Sequence, residues 1–104
     1  MEINQKVVND LLEYHPSTGL LYWKPRPLEY CKNSAYKKRA DSTRAGKEAF
    51  TFTHKNGYKM GAIFNKSYRA HTIIWLLVYG EYPNEYIDHI NGDRGDNRLS
   101  KGIV

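Results

Sequence analysis

The chain has 104 residues, of which 40% are apolar and 26% charged, and its formal net charge is +5 at pH 7. That length provides for one modest core, so a single domain over residues 1–104 is expected. The lone cysteine, Cys31, excludes an internal disulfide and a thiolate zinc cluster, and no apolar run approaches the roughly 18 to 20 residues of a bilayer span.

In chain order, Ile3, Val7, Val8, Leu11 and Leu12 form one helical stripe, and the sequence HPSTG, with its proline and glycine, is expected to close that helix. The opening residues lack the apolar core of a secretory signal, which points to an intracellular, cytoplasmic protein. Leu20 to Lys24 reads as a short strand. From Pro25 to Gly46 the chain is polar, basic and without periodicity, and is expected to be a loop or an arm that orders on binding. Alternation on either side of Asn56-Gly57 predicts a hairpin, and FNKSY offers a second turn before a short third strand. Ala70 to Pro83 loses the alternation and predicts an apolar helix closed by Gly80, with Ile74, Trp75, Leu77 and Val78 on its buried side. The expected fold is α+β: an N-terminal helix and a small basic antiparallel sheet over residues 1–69, then an apolar helix and a terminal Asp-His segment over 70–104.

Charge is unevenly spread. Lys24 to Arg69 holds twelve Lys or Arg against three acids, whereas Val78 to Leu99 holds five acids against two arginines. A basic middle beside an acidic end suits a protein that holds a polyanion with one part and a divalent cation with the other. The candidates for phosphate contact are Lys24, Arg26, Lys37, Lys38, Arg39, Arg44, Lys55, Lys59 and Arg69. Tyr22, Trp23, Tyr30, Tyr36, Tyr58 and Tyr68 lie among them; such rings stack on bases and equally well fill a core. YKKRAD is also readable as a plain solvated loop.

The segment YIDHINGDRGDN, residues 86–97, raises the chemical question. EYID reads as a strand, and Asn91-Gly92 with Gly95 as a tight turn. Together they place Asp88 and His89 at the strand's end. A carboxylate that holds a divalent cation, beside an imidazole able to take a proton from water, suits metal-assisted phosphodiester hydrolysis. An adjacent Asp-His pair is also a common local hydrogen-bonding arrangement.

The stretch YRAHTIIWLLVYGEYPNEYIDHINGDRGDNRLS resembles HNH endonucleases of the phage and intron-encoded homing type. The earlier LLEYHPSTGLLYWK and AGKEAFTFTHKNGYKMGAIFNKSYRAH are similar to the N-terminal part of such phage proteins. The resemblance implies that the terminal segment is of the ββα-metal kind, with His89 as the general base and Asp88 as a ligand to Mg²⁺ or Mn²⁺. Asp96, Asn97 and Arg98 would shape the turn. It also implies double-stranded DNA as a partner and a bacterial host cell as the location. His71 resembles a recurrent histidine of the family and is expected to be packed or hydrogen-bonded; Thr72 follows where an arginine is usual.

One departure bears on activity. After DNRLS the family pattern has Asn then Leu, and here Lys101 and Gly102 occupy those places. The metal-binding helix that would follow is not in the sequence, so the motif reads as C-terminally truncated. With Asp88 as the one retained carboxylate ligand, metal affinity is expected to fall, because magnesium needs near-octahedral oxygen ligation. Three functions remain open. The first is a DNA-binding HNH relative without efficient cleavage. The second is a nicking enzyme completed by another copy or a separate C-terminal piece. The third is an inhibitor of a host defence complex, CRISPR or restriction, in which Glu81, Glu85, Asp93 and Asp96 imitate phosphates.

Overall fold

A computed structural model describes residues 3–82 and Asn97. Helix α1 (Gln5–Leu11) starts at Asn4, whose side chain accepts the Val7 amide and so satisfies one of the helix's unpaired N–H groups. It buries Val7, Val8 and Leu11. The chain then turns directly into strand β1 (Leu12–His15), which pairs antiparallel with β2 (Leu20–Trp23) in the register Leu12↔Trp23. HPSTG therefore does not close the helix. His15 ends β1, Pro16 to Gly19 make a hairpin turn, and Gly19 has φ +75° and donates to the His15 carbonyl. Leu12 and Tyr14 also alternate inward, so the same apolar residues fit a strand once β2 lies beside them.

The second departure is larger. Residues 25–46 hold a short 3-10 turn, Leu28–Tyr30, and an eleven-residue helix α2 (Ser34–Arg44). Asn33 caps α2 by accepting the Tyr36 amide at 2.8 Å. No residue of α2 is buried, which explains why no apolar periodicity announces it. Its signals are a capping Asn, Ala, Lys and Arg of high helix propensity, and the Lys37–Asp41 pair at i, i+4.

Strand β3 (Glu48–Ala49) joins β2 on the side away from β1, giving the sheet β1-β2-β3. Phe50, at φ +58°, redirects the chain out of this sheet. A second sheet follows, β4 (Phe52–Thr53), β5 (Lys59–Ile63) and β6 (Lys66–Arg69), again antiparallel. The predicted small sheet is thus two three-stranded sheets. The Asn56-Gly57 hairpin is present, with Gly57 at φ +91°. FNKSY turns through Phe64 and Asn65, both at positive φ, the pattern of a two-residue type I′ connection.

Helix α3 (Ala70–Tyr79) ends on Gly80, which is left-handed at φ +81° and whose amide returns to the Leu76 carbonyl. Its buried face is Ala70, His71, Ile73, Ile74 and Leu76. Of the expected buried side, Ile74 is correct, Trp75 and Leu77 are half-buried, and Val78 is 37% exposed. The stripe is rotated because α3 packs on both α1 and the second sheet. Val7, Val8, Leu11, Leu12, Leu21, Ile63, Ile73 and Ile74 form the common core. The α+β class stands as read. No helix among the described residues is long and apolar enough to cross a membrane.

Candidate nucleic-acid interface

The nine cationic candidates occupy four environments. Lys37, Lys38, Arg39 and Arg44 all lie on α2. Lys38 and Arg39 are exposed, while Lys37 reaches Asp41 at 2.6 Å. Asp41 also accepts the Arg26 amide at 2.7 Å. Lys37 first, then that amide, hold the Asp41 carboxyl below its ordinary value. Asp41 therefore fastens a helix that buries nothing to the segment that follows β2.

Arg26 is only 8% exposed. Its guanidinium lies 5.4 Å from the Phe64 ring centre and 6.0 Å from that of Tyr36, whose hydroxyl it meets at 3.4 Å. Arg44 lies 5.8 Å over Trp23. Lys24 donates to the Asn9 carbonyl at 2.7 Å. Lys59 approaches Glu48 at 4.0 Å, and Lys55 is exposed in the Asn56-Gly57 hairpin. Arg69, the residue before α3, stands 4.8 Å over the Tyr58 ring. His71 is buried, with its ring 5.1 Å from Tyr58, so it packs as expected.

Arg26 and Arg44 line one groove of about 520 Å³ between α2 and the second sheet. Lys32, Phe50, Phe52 and Phe64 line it too, and none of these four is a candidate on sequence grounds. Lys32 lies outside the α2 cluster. The phenylalanines come from a turn, an edge strand and a second turn that only the folded chain brings together. At one end, Tyr30 donates to Asp10 at 2.9 Å, and Lys6 also reaches Asp10. Lys6, then Tyr30, lower the Asp10 carboxyl, while burial and Asp10 raise the Tyr30 hydroxyl.

From the terminal segment, the structure describes Asn97, which is 1% exposed. Its backbone carbonyl accepts the Tyr14 hydroxyl, and it borders a small cavity with Leu21, Glu48 and Ala70. The turn residue predicted from sequence thus lies against the first sheet and the start of α3. Asp88, His89, Asp96, Arg98, Glu85 and Asp93 lie outside the described residues, as do the expected EYID strand and Gly-rich turn. Glu81 is exposed just beyond α3. The described residues contain no group of three or more His, Cys, Asp or Glu arranged to hold a metal. The metal-ligand reading therefore rests on Asp88 in the sequence.

Residues 68–100 match the pattern of a family described as HNH endonuclease. The match begins in β6, takes in all of α3 and Asn97, and includes Asp88 and His89. This stretch of the chain is similar to the family that the motif resemblance pointed to. No curated protein and no solved structure matches the chain.

Proposed function

We propose that the protein is an HNH endonuclease-like DNA-binding protein with little cleavage activity of its own. The observation that carries this reading is the HNH match over residues 68–100, which spans the Asp88-His89 pair. It is joined in one fold to a helix that presents Lys38 and Arg39 to solvent. Those cations suit phosphate contacts, which supply affinity without sequence preference. Asp88 would hold Mg²⁺ or Mn²⁺, a metal that polarises a phosphodiester and activates water, and His89 would take the proton. Lys101 counts against efficient cutting. In the sequence it stands where resembling proteins have an asparagine, so a neutral amide of the pattern is replaced by a cation, which cannot ligate a metal.

A supercoiled-plasmid nicking assay with Mg²⁺ or Mn²⁺, scored together with duplex binding and with His89→Ala, tests this reading. Salt-sensitive binding without nicking is the expected result. Nicking that disappears in His89→Ala would replace it with an active endonuclease whose ligand set is completed by a second copy or another chain. Absence of duplex binding would reject the proposal.

A further inference from the structure

We propose that the groove between α2 and the second sheet binds one unstacked nucleotide of single-stranded DNA, its phosphate on Arg26, Lys32 and Arg44 and its base on Phe52. This rests on the nucleic-acid reading above and adds to it a site that a duplex cannot fill.

Arg26 is the first observation. Its side chain is more than nine-tenths buried, yet no carboxylate among the described residues lies within ion-pair distance of it. The Arg26 charge helps to lower the Asp41 carboxyl, whose close partner is Lys37, so the buried guanidinium is only partly compensated. Here its polar neighbour is the Tyr36 hydroxyl at the long distance of 3.4 Å. The Phe64 and Tyr36 rings hold the guanidinium in place, and it lines the groove. Arg44 and Lys32 line the same groove, also without an ion-pair partner among the described residues. Glu48, the one acid in the lining among the described residues, is approached by Lys59. Three cations facing one partly engaged carboxylate make the groove complementary to an anion.

Phe52 is the second observation. It is 65% exposed on the short edge strand β4, where it lines the groove, and Tyr36 is 37% exposed. A bare phosphate gains nothing from a solvated phenyl ring. A base gains a stacking platform. In a duplex each base face is already covered by its neighbours, so the base that meets Phe52 must come from an unpaired strand. The groove volume of about 520 Å³ falls within the range of small-ligand sites, roughly 300–1,000 Å³.

The test measures anisotropy of a short fluorescent oligothymidylate and of a hairpin duplex with the same number of phosphates. Polyglutamate serves as competitor. The unaltered protein is expected to bind the single strand more tightly than the duplex. Phe52→Ala should weaken single-strand binding by about 5- to 150-fold, the range for removal of one stacking ring, and leave duplex binding unchanged. Phe52→Trp should restore it. Arg44→Ala should weaken single-strand binding more than Lys38→Ala, which should affect both ligands alike. Because Phe52 is outside the core, its replacement leaves the fold in place, which circular dichroism checks. Equal weakening of both ligands in Phe52→Ala, no weakening, or displacement by polyglutamate as effective as by oligothymidylate would overturn the groove assignment. Duplex binding without single-strand preference would overturn it too, while leaving the DNA-binding reading intact. Binding of neither ligand would reject both.

Discussion

Phe50 and Gly61 show how closely a single position constrains this fold. Phe50 sits at φ +58°, a rare conformation for a bulky residue, where the chain leaves the first sheet for the second. Its ring is buried over Gly61, where an added Cβ would stand 2.7 Å from the ring. Both partners are inflexible at that contact, since the near atoms belong to the aromatic ring and not to a mobile chain end. Gly61→Ala is therefore expected to destabilise the protein by about 1–3 kcal/mol, as overpacking does, read from urea or thermal unfolding. Gly57 and Gly80 are recognisable in the sequence because each follows a local pattern, a hairpin and a helix end. Gly61 lies inside an alternating strand and meets a residue eleven positions earlier, so no local signal marks it. Arg26 is a comparable case. Its charge makes it a candidate, but its burial between two rings depends on the β5–β6 turn and on α2.

Helix α2 depends on polar ties, because none of its residues is buried. Asp41 provides two of them, to Lys37 and to the Arg26 amide. Its carboxyl is held below the ordinary value of 3.8. A depressed folded-state value means that this group stabilises the fold above the unfolded value and loses its contribution as pH falls through the folded one. Amide exchange over residues 34–44, corrected for its intrinsic pH dependence, should therefore rise as pH drops below 3.8. In Asp41→Asn it should already be raised at neutral pH. Protection of α3 should change less in that variant, since α3 is held by the apolar core. The same contrast governs what is legible in the sequence. Helices α1 and α3 bury apolar stripes and are visible as periodicity, while α2 reads as a loop because its stabilising contacts are charges and a cap. Strand β1 is hidden for another reason: Leu11 and Leu12 fit both a helix end and a strand start, and pairing with β2 decides between them.

At the scale of the whole molecule, part of the basic stretch is gathered in space. Its cations on α2, with Arg26 and Lys32, meet at α2 and the groove beside it, and Lys38 and Arg39 remain exposed. If both touch phosphates, replacing them with glutamine should weaken duplex binding uniformly across sequences. It should also flatten the log–log salt dependence by about 2, roughly 0.9 for each phosphate no longer neutralised, in titrations at several salt concentrations. Net charge, the α+β class, the two apolar helices, the Asn56-Gly57 and FNKSY turns and the HNH-like motif were all determined by the sequence itself. Each depends on composition or on residues close together in the chain, where periodicity, turn chemistry and motif spacing act directly. Only the tertiary structure decided that the strands divide into two sheets, that α2 exists and is fastened through Asp41, and that Asn97 lies against Tyr14. The same holds for the groove, where Arg26, Lys32, Arg44 and Phe52 meet. These features come from interactions between residues far apart in sequence, and such interactions take shape only when the whole chain competes for one small core.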